Sequence, residues 1–324
     1  MEKSISNIVF TRNRPLQLEA YLESLYRHLP EERIRTYLLY KVDLFEEQYE
    51  ELFQQFPDCV VVREKNFHDD LLMLMNRLRT PFVLFGTDDV VYYDSVDYAL
   101  IEDVFTRFPE DIFGFSLRLS PEKLKGGGEP VQDYHVRDEK VYRVSWKHAQ
   151  SRDARYPVEL DSTIYKSGMV KAIVGGAGRE FPGLNRIFRK DSLLVRGLDR
   201  IVSMKHFLDR IHTFHDPNTL EGSGYRWCRR HASRLPDGLY FQKPCASAVQ
   251  INRVNLSVSN PTDGSTEHSV ENLNEKYKRG YRFDVAAVER HKPTDTHVGR
   301  DYVRLVKCMK SCGSRRLGNQ ENHT

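Results

Sequence analysis

Between residues 82 and 93 the chain reads FVLFGTDDVVYY. The run at 81–86 is almost continuously apolar, as in a strand buried on both faces of a parallel sheet. Two adjacent carboxylates, Asp88 and Asp89, follow it, and another apolar pair comes directly after them. Placing two charges at such a point is costly unless something compensates them. A hard divalent cation does so: carboxylates bind Mg2+ or Mn2+, which in turn grip phosphate oxygens. The plainer alternative is a polar turn in which one Asp caps the next helix.

The residues before this run set its context. Residues 5–11 (ISNIVFT) form a β-rich run, and Pro15 suits the first turn of a helix. Leu18, Tyr21, Leu22, Leu25 and Leu29 then repeat at helical spacing. A strand at 36–42 ends at Asp43, and a helix at 45–56 follows. A strand is expected at 59–63, a helix at 69–79 and a strand at 81–86. The order β-α-β-α-β-α-β reads as a doubly wound α/β domain. In such sheets ligands collect at the carboxyl ends of the strands. Those ends carry residues 11–14, Asp43, the Lys65 region and residues 87–89.

Downstream the pattern predicts a helix at 95–108, strands at 112–119 and 141–146, and an extended stretch at 156–165. Helices follow at 167–174 and 192–211. Asp216-Pro217 marks a further helix start, with Asp as N-cap and Pro at N1. A strand is expected at 246–254, and a helix at 267–279 stopped by Gly280. The glycine-rich stretches at 123–130 and 175–183 match no phosphate-binding loop pattern. Both read as flexible loops, expected to flank a cleft and to order when a ligand binds.

Composition narrows the function classes. The 324 residues carry 49 Lys+Arg against 46 Asp+Glu, with 40% hydrophobic and 29% charged residues, which describes a globular chain. A net charge of +3 spread over this length argues against a dedicated nucleic-acid binder. No apolar run approaches the ~20 residues that span a bilayer. The N-terminus has no cationic-then-apolar signal pattern. Five scattered cysteines without CxxC spacing fit a reducing, cytoplasmic setting.

Three segments together carry a resemblance: NIVFTRNRP at 7–15, the helix bearing Asn76 before the fourth strand, and FVLFGTDD at 82–89. The chain resembles GT-A fold glycosyltransferases, near the large family 2 group, over the first ~110 residues and more loosely to about residue 285. The resemblance implies a GT-A-like α/β fold. It implies transfer of a hexosyl-type sugar from a nucleotide-diphosphate sugar, such as a UDP-sugar, with inversion, using Mn2+ or Mg2+. A saccharide or lipid-linked acceptor in glycan or polysaccharide synthesis would be the second substrate. By the same resemblance Thr11, Arg12, Asn13 and Arg14 line the nucleotide pocket, with Lys65 and Asn76. Asp43 falls near the base or ribose. Asp89 becomes the direct metal ligand, and Asp88 a supporting or ribose-facing partner that also counts among the metal's carboxylates.

The chemistry asks for more. A departing diphosphate gathers negative charge, which a metal and nearby cations stabilise. An inverting enzyme also needs a carboxylate to deprotonate the acceptor. Glu221, in the first turns of the helix after Asp216-Pro217, and Asp161, in VELDSTIY, are the two candidates for that base, with Glu159 third. For each, the competing reading is ordinary: a helix-dipole partner for Glu221 and a strand-end turn residue for Asp161. His215 is a candidate third metal ligand, with His231 and His268 behind it. Arg253, in the strand VQINRVN, could hold the diphosphate. Trp146 and Tyr165 could stack on a sugar, although core packing is the commoner use of such rings.

The expected organisation is a nucleotide-sugar half at 1–110, an acceptor half at 111–285, and a basic appendage at 286–324. Residues 300–316 alternate basic and apolar side chains and read first as a solvated tail. The alternative is a membrane-surface helix suited to a lipid-linked acceptor. Two other functions share the α/β frame. A sugar-nucleotide nucleotidyltransferase would need a Gly-rich, Lys-bearing loop after the first strand, and that loop is missing. A non-catalytic nucleotide- or carbohydrate-binding protein would keep the fold without turnover.

Overall fold

The computed structural model describes residues 2–136, 139–177, 197–198, 214–252 and 266–308. The N-terminal part alternates as the periodicity requires: β1 (Ile5–Arg12), α1 (Pro15–His28), β2 (Ile34–Lys41), α2 (Glu46–Gln55), β3 (Val60–Arg63), α3 (Phe67–Arg77) and β4 (Phe82–Thr87). Then come β5 (Val90–Tyr92), α4 (Tyr98–Arg107), β6 (Ile112–Ser116), α5 (Pro121–Gly126), β7 (Gln132–Val136), β8 (Glu139–Val144), α6 (Arg152–Arg155), β9 (Thr163–Lys166) and α7 (Ser167–Ala177). The remaining described elements are α8 (Pro217–Arg230), β10 (Asp237–Tyr240), β11 (Ala246–Val249), α9 (Val270–Lys278), β12 (Tyr281–Phe283), α10 (Val285–His291), β13 (His297–Val298) and β14 (Leu305–Lys307).

Nine strands form the main sheet, in the order β3-β2-β1-β4-β9-β6-β10-β8-β7. The first four are parallel. The reversed strand β9 lies between β4 and β6, antiparallel to both. Beyond it β6 and β10 are parallel, and the β7–β8 hairpin closes that edge. The fold is thus α/β and GT-A-like: a parallel nucleotide-type half joined through one reversed strand to a mixed half. Ile8, Val9, Val83, Leu84 and Phe85 are fully buried, as a two-sided parallel strand demands. At Gly86 an added Cβ would stand 2.1 Å from the Tyr21 hydroxyl, so this strand meets α1 too closely for a side chain.

Helices cover both faces. Leu18, Tyr21, Leu22 and Leu25 of α1 pack in one buried cluster with α4 residues Ile101 and Val104. Leu71, Leu74 and Met75 of α3 pack in another with Val170, Ile173 and Val174 of α7.

Several expectations are corrected. The stretch at 123–130 is not a free loop: Ser120 caps α5, which runs through Gly126, and only Gly128 has a left-handed φ, of +78°. Gly175 and Gly176 belong to α7, where Gly176 admits the Trp227 indole of α8; an added Cβ would lie 2.1 Å from its Nε1. The helix expected at 192–211 and the end of the 175–183 stretch lie outside the described residues. So do Arg253 and the chain after residue 308. Trp146 and Tyr165 are core residues, 2% and 0% exposed, and Trp146 Nε1 donates to the Pro236 carbonyl at 2.8 Å.

The boundary expected at 285/286 is also corrected. β13 pairs with β11, β14 pairs with β12, and Val285, Val288 and Val298 are buried with Leu16, Ala20, Val91 and Tyr93. Residues 286–307 are therefore part of the fold. Residues 300–302 form a short 3-10 turn and 305–307 a strand, so the described start of 300–316 is neither the solvated tail expected first nor the alternative surface helix. Among the described residues no helix is long and apolar enough to cross a membrane.

Candidate active site

The carboxyl ends of β1, β2 and β4 bring the first motif together. Asp88 is 3% exposed and spends both oxygens inside the protein. Its Oδ2 accepts from Thr11 Oγ1 at 2.8 Å and from the Arg12 backbone N–H at 3.3 Å, while its Oδ1 accepts from Arg14 Nη1 at 2.9 Å. Arg14 also donates to the Asn252 carbonyl, which ties the β1 loop to the end of β11. Burial opposes its charge, but Asp88 and then Asp89 more than offset that, and the guanidinium is held even more firmly protonated than usual.

Asn13 sits at φ +54°, a left-handed position that Asn tolerates. There its Oδ1 accepts from the backbone N–H of Asp43 at 2.9 Å and of Leu44 at 3.2 Å. Arg12 Nη2 and Asn13 Nδ2 donate to Asp43 Oδ2 at 2.8 and 3.3 Å. Partial burial works against the Asp43 charge, yet the Arg12 and Asn13 hydrogen bonds outweigh it and hold its carboxyl below the usual range. Lys65 is exposed just beyond β3, with its backbone N–H on Asp70. Asn76 departs from expectation. It is exposed near the C-terminal end of α3, which runs back toward the start of β4, so it lies away from the carboxyl edge. An α3 that returns antiparallel to the strands can place only its first turn at that edge.

Asp89 faces a second group. Thr87 Oγ1 lies 2.8 Å from Asp89 Oδ1 and 2.5 Å from Asp161 Oδ1. A hydroxyl has one proton, so two carboxylate oxygens share one donor. Asp89 is pushed up first by burial; Arg14, whose Nη1 is 3.6 Å from its Oδ2, pulls the other way, and Asp161 adds to the rise. Asp161 in turn meets Arg118 Nη1 at 3.5 Å and His297 Nε2 at 3.9 Å. Arg118 is buried, salt-bridged to Glu159, and donates to the Thr296 carbonyl at 3.0 Å. Burial, followed by Arg118, lowers the His297 pKa and favours the neutral imidazole. Glu221 accepts from the Leu160 N–H. Asp161, Glu159, Glu221, Arg118 and His297 all line one cavity of about 200 Å3 between the mixed half of the sheet and residues 152–161.

The structure gathers Asp88, Asp89, Asp161 and Glu221, which sequence reasoning singled out, at one edge of the sheet with Arg118 and His297, which it did not. Arg118 did leave a signal, as a lone cation in the apolar run that follows β6. His297 left none, because its segment read as an appendage. His215, expected as a metal ligand, is engaged at the start of α8, with its N–H on Thr219 at 2.9 Å and Nε2 3.5 Å from Asp216. The histidine near Asp161 is His297, 3.9 Å away. Among the described residues no three His, Cys, Asp or Glu side chains converge into a closed metal cage. Mg2+-type ions need none: they take one or two carboxylates and leave the rest to water and phosphate. Asp89 suits that role, being 22% exposed at the side chain and having one oxygen that, among the described residues, is approached by Arg14 at 3.6 Å. Asp88 does not, because its oxygens are already engaged.

No protein-family model matches the chain. A curated relative, the bifunctional glycosyltransferase pgtA of Dictyostelium discoideum, is 24% identical over 198 residues, covering 54% of this chain and 25% of its own length. Among solved structures, S. aureus TarS 1-349 in complex with UDP overlays at a TM-score of 0.38 with 14% identity, covering 56% of this chain and 50% of that one. A 4-diphosphocytidyl-2C-methyl-D-erythritol synthase overlays at 0.31 with 9% identity, covering 54% of this chain and 80% of that one. The match to pgtA thus spans a quarter of that relative, and the TarS overlay half of the 1-349 fragment. The resemblance to GT-A fold glycosyltransferases read from the motifs agrees with the curated relative and with the observed strand order.

Proposed function

We propose that this protein is a nucleotide-sugar-dependent glycosyltransferase, acting on a UDP-sugar with the help of a divalent cation. The observation that carries the reading is Asp89: a partly exposed carboxylate just after β4 that shares the Thr87 hydroxyl with Asp161, which lines the cavity. The pgtA relative supports the reaction class, and the UDP complex of TarS suggests the nucleotide.

The loop of residues 11–14 and Asp43 would receive the nucleoside, because their polar groups are already fixed by one another. Asp89 would hold the cation together with diphosphate oxygens and water. Such a cation, when bound, neutralises charge on the departing diphosphate. Arg14 supplies a permanent positive charge next to Asp89 and keeps the Asp88–Asp89 pair from repelling itself apart. Asp161 lies on the cavity side and is the proposed base. It would accept the acceptor hydroxyl's proton as that oxygen bonds the anomeric carbon and the bond to the diphosphate breaks, which gives inversion. The apolar and aromatic floor of the cavity, with Phe113, Tyr156 and Leu239, would seat a saccharide or lipid-linked acceptor. A cytoplasmic setting fits the free Cys59, Cys228, Cys245 and Cys308.

UDP should raise the melting temperature more with Mn2+ than without it, and Asp89→Ala should remove the metal-dependent part. Hydrolysis of at least one UDP-sugar in a donor panel should accompany the shift. An identical shift with and without metal would reject the assigned role of Asp89. A shift without any donor turnover would favour a binding protein.

A further inference from the structure

Glu221 lies where a base is expected, yet its contacts are those of a support. It sits in the second turn of α8, whose start is fixed by Asp216 and Thr219 in a reciprocal cap. Its Oε1 accepts from the Leu160 backbone N–H at 2.9 Å. Leu160 belongs to a turn, residues 159–162, in which every backbone N–H has a partner. Glu159 N donates to the Tyr165 hydroxyl at 2.8 Å, Asp161 N to Glu159 Oε2 at 3.3 Å, and Ser162 N to the Phe85 carbonyl at 3.0 Å. Of these four partners only Glu221 comes from α8; the others belong to the sheet or to the turn itself. Ser162 holds φ +79°, a left-handed conformation for a side-chain-bearing residue, which persists only where its surroundings enforce it.

The charges facing Glu221 come from every side. Asp161 and Glu159 are on the turn, Arg118 follows β6, and Tyr165 is on β9. Arg152, Asp153 and His297 line the same cavity. Withdrawal from water, followed by the Asp161 charge, pushes the Glu221 carboxyl up to about 8, so it carries its proton at pH 7. A protonated carboxyl takes no proton from an acceptor hydroxyl, but its other oxygen still accepts the Leu160 N–H.

We propose that Glu221 is a positioning residue whose carboxyl braces the Leu160 amide and so fixes the turn that presents Asp161 to the acceptor. The inference rests on the reading of Asp161 as the base.

Two substitutions separate brace from base. Glu221→Gln keeps an acceptor oxygen and loses the titration, whereas Glu221→Ala removes the brace. With a turned-over UDP-sugar at pH 7, Glu221→Gln should stay near wild-type kcat, and Glu221→Ala should lose about 10-fold to 100-fold in kcat with donor KM little changed, as misplacement of a reacting group does. Above pH 8 the wild type should lose kcat as a third carboxylate ionises beside Asp161 and Glu159, and Glu221→Gln should not. A loss of about 100-fold or more in Glu221→Gln would make Glu221 the base and overturn the proposal. So would an unchanged kcat in Glu221→Ala.

A second readout needs no activity. The folded carboxyl is raised from 4.5 to about 8, so its stabilisation is complete below 4.5 and is lost as pH rises toward 8. The melting temperature of the wild type should therefore fall relative to Glu221→Gln across that window. A constant difference would show Glu221 ionised and free to take the acceptor's proton, and would overturn its assignment as a positioning residue. If the wild type turns over no donor, the transferase reading fails, and the melting comparison still decides whether Glu221 holds its proton.

Discussion

Arg14 and Asp88 form the most heavily committed ion pair of the site, 8% and 3% exposed. Neither can lose its partner cheaply, because a lone buried charge has no water to turn to. Asp88→Asn should therefore destabilise the protein by about 3–5 kcal/mol, read as a lower denaturant midpoint, and should loosen the β1 loop that Arg14 ties to Asn252. A change under about 1 kcal/mol would mean that the pair is solvated in solution, as surface pairs are. The two adjacent aspartates thus divide their work. Asp88 organises residues 11–14 from behind, and Asp89 faces outward toward Asp161. In the sequence this division comes only with the motif resemblance, because adjacent residues of similar chemistry are told apart physically by what packs on each.

At the scale of elements, the parallel half was legible almost strand by strand. Each strand there is a short apolar run between helical repeats, and the structure moves the expected boundaries by only a residue or two in most cases. The mixed half was less legible. The strand β7 lacks an apolar run, since Gln132, Asp133 and His135 are exposed on a sheet edge. The glycines at 175–176 read as a loop, yet they serve close packing of α7 against α8, a need that only the neighbour Trp227 reveals. Local chemistry was decisive where it is self-contained, as at Asp216-Pro217, which begins α8 as expected. Asp216→Ala should cost about 1 kcal/mol in the denaturant midpoint through loss of the N-cap. No measurable change would show that α8 is held by packing alone.

Taken as a whole, the molecule is closed by its C-terminal residues. Strands β12, β13 and β14 and helices α9 and α10 cover Leu16, Ala20, Val91, Tyr93 and Val249. Arg282 Nε pairs with Glu19 at 2.8 Å, and Glu289 pairs with His28 and Arg27 at 2.9 and 2.8 Å. A chain ended at residue 265 should be insoluble or lack a cooperative thermal transition, because this apolar set would face water and β11 would lose the neighbour β13. A truncated chain with the wild-type melting temperature would return the segment to the status of an appendage.

The order of strands and helices in the first hundred residues, the carboxyl edge of the parallel strands, and the acidic pair at that edge follow from the sequence alone. They rest on periodicity and on the cost of burying charge, both of which act over a few neighbouring residues. Tertiary structure decided what comes from distant parts of the chain. It brought Arg118 and His297 to Asp161, left Asn76 at the wrong end of its helix, and set Glu221 against the Leu160 amide. Those outcomes depend on which faces meet after the chain has turned back on itself, and no local pattern records that.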